Sequence, residues 1–262
     1  MESEYRDLEP TPGALACPAC QNPIIIPFRG ALQCANADHF FPVEDSIPRL
    51  HWPQDETEVD SVTGAVREFY EATPFPSYEP TDTLETIRSK ANVGIFAPLL
   101  NEQIPGDAKI LEVGCGTGQL SNFLAGGTQR TVFAIDMSLN SLRLGQAFRE
   151  QNNIDNLVFC HMNLFSPAFQ PGTFDVVISN GALHHTIDPY RGFESIAKLV
   201  KPGGFIVIGL YNKFGRIPIY IRQMIFKKLN RRLGLFDYRL ESGYLGDERK
   251  DAWFKDQYQN PP

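Results

Sequence analysis

Residues Glu112-Val113-Gly114-Cys115-Gly116-Thr117-Gly118 constrain the fold of this 262-residue chain more than any other stretch. They follow an apolar run at Lys109–Leu111 that reads as a strand, and they precede Gln119–Leu124, which reads as the start of a helix. A glycine-rich turn between strand and helix lets the backbone approach a ligand closely, because no Cβ stands in the way. It also aims the first N–H groups of the helix at that ligand.

From Lys109 onward, strand and helix patterns alternate. Strands are expected over Lys109–Val113, Thr131–Ile135, Leu157–Met162, Phe174–Ser179 and Phe205–Leu210, and helices over Gln119–Leu124, Ser138–Gln151 and Pro189–Val200. Ser138 and Asp188 suit helix N-caps, the second with proline at the first helical position. Such alternation implies an α/β fold with a parallel sheet covered by helices. Ligands then bind at the carboxyl ends of the strands. After Leu210 no pair of alternating strands is evident, which would leave Phe205–Leu210 as an open edge.

The spacing of the glycines bears on the ligand. A dinucleotide fingerprint is Gly-x-Gly-x-x-Gly, and counting from Gly114 puts its third glycine at position 119, which is Gln119. The pattern present is Glu-x-Gly-x-Gly-x-Gly. Asp136 ends the second strand, where a carboxylate can accept hydrogen bonds from both hydroxyls of a ribose. That placement is shared by dinucleotide and adenosyl sites.

The glycine pattern and Asp136, together with Leu183-His184-His185-Thr186-Ile187-Asp188-Pro189 and Leu199-Val200-Lys201-Pro202-Gly203-Gly204, resemble the class I S-adenosylmethionine-dependent methyltransferases, in particular their small-molecule branch. The resemblance covers about residues 65–215 and implies a Rossmann-like core with S-adenosylmethionine as methyl donor. It implies that Gly114 and Gly116 let the backbone meet the amino-acid and ribose portions, and that Glu112 faces the methionine ammonium. Asp136 would bind the ribose hydroxyls, Met137 would lie beside the adenine, and Asn180 would line the methionine side. Where the family often has Asp after the third strand, this chain has Asn163, whose amide oxygen can still accept from the adenine amino group.

Toward the N-terminus, Cys17-Pro18-Ala19-Cys20 is followed by Cys34 and His39. Cysteines separated by two residues fit one knuckle of a tetrahedral zinc site, and Cys34 with His39 could supply the other. Asp38 or a water are alternatives for the fourth ligand. Ile24–Ile26 and Leu32–Gln33 look like short ribbon strands. A structural metal would explain how some 40 residues fold with little core of their own. Continued through Asp45-Ser46-Ile47-Pro48, this stretch resembles the zinc ribbons of the small activator of tRNA and protein methyltransferases and of ribosomal-RNA guanine methyltransferases, many of which have Asp-Gly-Ile-Pro here.

The expected organisation is a zinc-ribbon-like segment over 1–50, a linker over 51–62, a helical cap over 63–108, the donor-binding core over 109–210 and a basic helical segment over 211–262. Within the cap, helices are expected over Val66–Tyr70 and Thr83–Leu100. The proline-broken loop Thr73–Tyr78 between them could cover a ligand or simply pack on the core. Charge is uneven: residues 1–62 hold 11 acids and 3 bases, whereas the remaining chain carries a net charge of +1. The overall −7 argues against a broadly basic nucleic-acid surface. Between 213 and 239, eight bases face the single acid Asp237. Ile217, Ile221, Met224 and Ile225 recur near helical spacing there, a pattern that suits a solvated helix, an acidic partner or a membrane surface. No run reaches the roughly 20 apolar residues of a membrane span, and no secretory signal is visible, so a cytoplasmic location is expected.

Methyl transfer from a sulfonium needs alignment and exclusion of water, and a base only if the acceptor must lose a proton. His185 and His184 are candidate bases, or they cap their loop. Cys115 and Cys160 read as small buried residues. The acceptor is expected to be a small molecule. The alternatives are RNA, with the ribbon binding substrate, and a non-catalytic adaptor whose methyltransferase fold is degenerate. A nicotinamide-dependent oxidoreductase is disfavoured by Gln119.

Overall fold

The computed structural model describes residues 13–25, 31–36, 38–52, 64, 68, 70–212, 214, 217, 221 and 224. An antiparallel ribbon comes first: β1 (Ile24–Ile25), β2 (Ala31–Cys34), β3 (Phe40–Glu44) and β4 (Ile47–Pro48). Two helices follow, α1 (Leu84–Ala91) and α2 (Phe96–Gln103). The α/β part then runs β5 (Lys109–Val113), α3 (Gln119–Ala125), β6 (Thr131–Asp136), α4 (Leu139–Gln151), β7 (Leu157–His161), β8 (Phe174–Asn180), α5 (Pro189–Ala197) and β9 (Val200–Gly209). Its sheet has the order β7-β6-β5-β8-β9, and every pair is parallel.

The strands read as nearly continuous apolar runs because both faces of the sheet are covered. On one face Ile110, Val132, Ala134, Phe159 and Ile178 pack with Phe123 and Leu124 of α3, Leu142 and Phe148 of α4 and Ile87 of α1. On the other, Val113, Phe133, Val158, Phe169 and Phe174 pack with Ile196 of α5 and with Leu32, Phe41 and Leu50 of the ribbon. Phe133, Phe169 and Phe174 meet edge to face at centroid separations of 5.0–5.5 Å, the arrangement their ring quadrupoles favour.

The crossover between β7 and β8, residues 162–173, contains no helix. The ribbon fills that part of the face instead. The Ala16 N–H donates to the Ala168 carbonyl at 3.0 Å, the Gln170 N–H to Ala14 at 3.0 Å, and the Leu50 N–H to His161 at 2.9 Å. Arg49 also bridges His161 in parallel register, so the ribbon's last residues cover the β7 edge. At the opposite edge no strand among the described residues pairs with the outer side of β9, where Phe205 is 71% exposed.

Three local expectations are corrected. The single helix expected over Thr83–Leu100 is two, because Pro98 would break a helix interior but is tolerated in the first turn of a new one. Thr83 caps α1 with a capping box to Thr86, and Asn92–Gly94 form the turn between the helices. The helix expected to reach Val200 stops at Ala197, since Val200 already pairs with Phe174. The last strand therefore starts at Val200 rather than Phe205, with a register shift over Lys201–Gly204 where Gly203 has φ +82°. Ser138 and Asp188 cap α4 and α5 as expected, accepting from the N–H groups of Ser141 and Arg191.

Among the described residues no helix is long and apolar enough to cross a membrane. Of the basic segment 213–239, Phe214, Ile217, Ile221 and Met224 are described, all exposed. The charged residues of that segment lie outside the described residues, as does the helix expected over Val66–Tyr70 apart from Glu68 and Tyr70.

Between β3 and β4, Asp45 and Ser46 both have positive φ, 51° and 61°. That is the two-residue hairpin turn for which glycine is preferred at the second position. A non-glycine residue there costs roughly 1–2 kcal/mol, part of which glycine returns through its freedom in the unfolded chain. Ser46→Gly should therefore stabilise the protein by about 0.5–1 kcal/mol, read as a higher denaturant midpoint; a lower midpoint would show that the serine makes a compensating interaction.

Candidate active site and metal centre

The turn after β5 bends at Gly114, Gly116 and Gly118, with φ of +70°, +55° and +69°. Each glycine also admits a neighbour. A Cβ on Gly114 would lie 2.2 Å from Ala182 Cβ, one on Gly116 2.3 Å from the Phe75 carbonyl oxygen, and one on Gly118 2.4 Å from the Phe159 ring. The close approach thus involves the protein itself as well as any ligand. The Gly114 and Cys115 N–H groups both donate to the Ile135 carbonyl, at 2.8 and 3.1 Å, which ties the turn to the end of β6.

Asp136 completes this join. One carboxylate oxygen accepts from the Gly116 N–H at 2.7 Å and the other from the Ser138 N–H at 2.8 Å. The segment Phe75–Tyr78 then seals the turn from outside. Tyr78 OH donates to the Thr117 carbonyl at 3.0 Å, Thr117 Oγ1 to the Pro76 carbonyl, and Gln119 Nε2 to the Ser77 carbonyl at 3.0 Å. Phe75–Tyr78 therefore packs on the core, and Phe75 and Pro76 also face the cavity beside it.

That cavity measures about 590 Å³ and opens at the carboxyl ends of β5, β6 and β8. Glu112, Gly114, Gly116, Asp136, Met137, Asn180 and His185 all line it, whereas Asn163 and His184 are not among its lining residues. Asn163 Oδ1 accepts from the Phe165 N–H at 3.0 Å. Asn180 is the last residue of β8, with its side chain over Gly209. His184 and His185 form a short 3₁₀ turn with Leu183. The His184 ring lies 4.0 Å from that of Tyr211, between centroids, and the His185 ring 6.4 Å from that of Tyr70. Tyr70, Met162, Phe165 and Tyr211 also line the cavity; nothing in their local sequence marks them, because they arrive from segments far apart in the chain.

Two acids share this cavity. Burial pushes the Glu112 carboxyl up to about 7, with the nearby Asp136 adding to the shift and a hydrogen bond donated by the Ser121 hydroxyl opposing it. Burial also raises Asp136, against the lowering effect of the N–H groups of Ser138 and Gly116. Paired, buried acids in a concave site are poised for a ligand that carries positive charge. Cys115 and Cys160 are buried thiols, both pushed well above the usual range by burial.

In the ribbon, the sulfurs of Cys17, Cys20 and Cys34 and a ring nitrogen of His39 lie within 4.8 Å of one another. Cys17 Sγ is 3.3 Å from His39 Nδ1, and Cys20 Sγ is 3.5 Å from Cys34 Sγ. Tetrahedral zinc with bonds of about 2.3 Å to sulfur has ligand-to-ligand edges near 3.8 Å, so this donor set fits. The knuckle closes through the Gln21 N–H to Cys17 and the Cys17 N–H to Asn22, both at 2.7 Å. Asn22 Nδ2 donates to Cys20 Sγ at 3.2 Å, while Asn22 Oδ1 accepts from Asn36 Nδ2, also at 3.2 Å. Neighbouring N–H groups hold the Cys20 thiol below its usual range, led by the backbone of Asn22, while burial raises Cys17.

The profile of a methyltransferase domain family matches residues 105–233. An uncharacterized protein of a Synechococcus strain is 34% identical over 171 residues, covering 63% of this chain and 40% of its own. The ubiquinone biosynthesis O-methyltransferase of Albidiferax ferrireducens is 36% identical over 107 residues, covering 40% of this chain and 42% of its own. The enzyme of the same name from Thiobacillus denitrificans is 29% identical over 170 residues, 63% of this chain and 68% of its own. The chain thus spans about two fifths of the length of the first two relatives. Residues 105–233 thus match a methyltransferase domain, and the all-parallel sheet with a glycine turn after β5 is the arrangement that the sequence's resemblance to class I S-adenosylmethionine-dependent methyltransferases implies.

Gly116→Ala tests whether Phe75–Tyr78 is docked on the turn. The new methyl would collide with the Phe75 carbonyl in a backbone conformation that L-residues resist, at an expected cost of at least about 2 kcal/mol. A thermal midpoint equal to that of the unaltered protein would mean that the segment is free to move away.

Proposed function

We propose that this protein transfers the methyl group of S-adenosylmethionine to an oxygen, nitrogen or carbon atom of a small-molecule acceptor. The observation that carries this is the convergence of Glu112, the Gly114–Gly116 turn and Asp136 on one wall of a single cavity. In this proposal Glu112 and Asn180 hold the methionine end, Asp136 accepts from the ribose hydroxyls, and Met137 packs beside the adenine. Asn163 would act through its own loop, since its oxygen is already committed to Phe165.

Bound S-adenosylmethionine supplies a methyl carbon on a sulfonium, and the electron pair of the breaking bond stays on sulfur. The protein's part is to align the acceptor with that carbon and exclude water. Phe75, Pro76, Tyr70 and Tyr211 supply apolar walls for this. His185, facing the cavity, is the proposed acceptor of a proton where the acceptor must lose one; unchanged turnover in His185→Ala would remove it from that role. A small acceptor is favoured over RNA because Leu32, Phe41 and Leu50 of the ribbon are packed against the sheet, leaving Ile25 and Phe40 as its exposed large apolar side chains among the described residues, and because relatives bearing an O-methyltransferase name lie among the matches.

Calorimetry should show one S-adenosylhomocysteine bound per chain, with Asp136→Ala weakening it by at least tenfold, the effect of losing hydrogen bonds to a charged group. The pH dependence follows from Glu112. Its carboxyl lies above the ordinary 4.5, so the fold favours the protonated form, and the associated stability is present at low pH and lost as pH rises through about 7. A cationic ligand favours the carboxylate. Affinity should therefore climb with pH, by up to about tenfold per unit below that point, and level off above it. Glu112→Gln should remove that climb; binding of a nicotinamide cofactor in place of the sulfonium nucleoside would overturn the assignment.

We further propose a structural zinc ion on Cys17, Cys20, Cys34 and His39. Native mass spectrometry should find one zinc per chain. Because the ribbon forms part of the sheet's cover, chelation should lower the thermal midpoint of the whole protein, and a metal-free chain with the same midpoint would count against it.

A further inference from the structure

The cavity has a second wall that the donor assignment does not use. It is built by three helices: Ile87 and Ala91 of α1, Phe96 and Ala97 of α2, and Leu120 and Phe123 of α3. Among the described residues its one charged side chain, Lys90, is already engaged: Nζ contacts the carboxylate of Asp82, which is 3% exposed, and lies 3.8 Å from Glu79. The amide of Gln119, at the edge of this wall, is committed to the Ser77 carbonyl. A wall without an available charge gives no grip to a phosphate backbone or a carboxylate.

The turn joining α1 and α2 makes the same point from outside. Ala91 and Phe96, on either side of it, line the cavity, while Val93 and Ile95 within it are 72% and 82% exposed. Large apolar side chains held in water at the edge of an apolar cavity extend its surface outward, as a ligand longer than the cavity would require. Ala91 and Ala97, one on each helix, contribute only small side chains to this lining.

We propose that this wall seats the methyl acceptor, and that the acceptor is an uncharged molecule with an extended apolar body. Its reactive atom points toward the donor while its apolar end lies between α1, α2 and α3 and runs out past Val93 and Ile95. This rests on the donor reading given above, and the test separates the two.

The experiment titrates para-butylphenol, para-pentylphenol and para-hexylphenol into the protein saturated with S-adenosylhomocysteine. Affinity should rise on the order of fourfold for each added methylene, the value of burying one such group. Ala97→Trp, which fills the wall, should weaken para-hexylphenol at least tenfold while leaving S-adenosylhomocysteine within twofold. If that variant fails to bind S-adenosylhomocysteine, Phe96→Asp at the partly exposed rim serves in its place. Affinity that is flat along the series, tighter binding of para-hydroxybenzoate than of para-hexylphenol, or full phenol binding by a variant that still binds S-adenosylhomocysteine overturns the proposal. Failure of S-adenosylhomocysteine to bind the unaltered protein would instead sink the donor reading, and this inference with it.

Discussion

The turn between β5 and α3 is the constraint on which the rest of the molecule hangs. Three alternate residues in left-handed conformation bring the chain around so tightly that Ala182, Phe75 and Phe159 each occupy space where a Cβ would stand. The same geometry points the Gly116 N–H at Asp136. One turn therefore fixes the relation of β5 to β6, α3 to β7 and the Phe75–Tyr78 segment to the sheet. Glycine is required here for protein packing as much as for ligand access.

The ribbon is the second determinant. A parallel sheet must be covered on both faces, and the helix-free crossover from β7 to β8 leaves part of one face bare. Leu32, Phe41 and Leu50 supply the missing cover, and backbone bonds from Ala16 and Leu50 anchor it. The ribbon also reaches toward the site: His161, which receives the Leu50 N–H, places its own ring nitrogen 3.0 Å from the Met137 carbonyl. The end of the ribbon and the adenine end of the proposed donor site are thereby joined through His161. That juxtaposition comes from packing and has no counterpart in residue spacing.

Burial does most of the electrostatic work in the cavity. Glu112 and Asp136 face it together, and neither has a cationic side chain as hydrogen-bond or ion-pair partner among the described contacts. Each is stabilised by hydroxyl or backbone donors alone. A site that holds acids above their ordinary range in this way favours a ligand that brings its own positive charge, as a sulfonium with an α-ammonium does.

Much of this architecture follows from local residue order. The glycine spacing, the strand-ending Asp136, the caps at Ser138 and Asp188 and the cysteine pairs are short-range signals, each imposed by backbone geometry within a few residues. Where a distant partner decides, local pattern misled: Val200 belongs to a strand because Phe174 is beside it. The split at Asn92–Gly94 is different, a local signal in Pro98 that helical spacing alone passed over. The tertiary structure alone brought Tyr70, Phe75, Phe96, Met162 and Tyr211 to one cavity and laid the ribbon against the sheet. Those contacts join residues tens of positions apart, and hydrophobic burial, being non-directional, leaves no spacing in the sequence from which to read them.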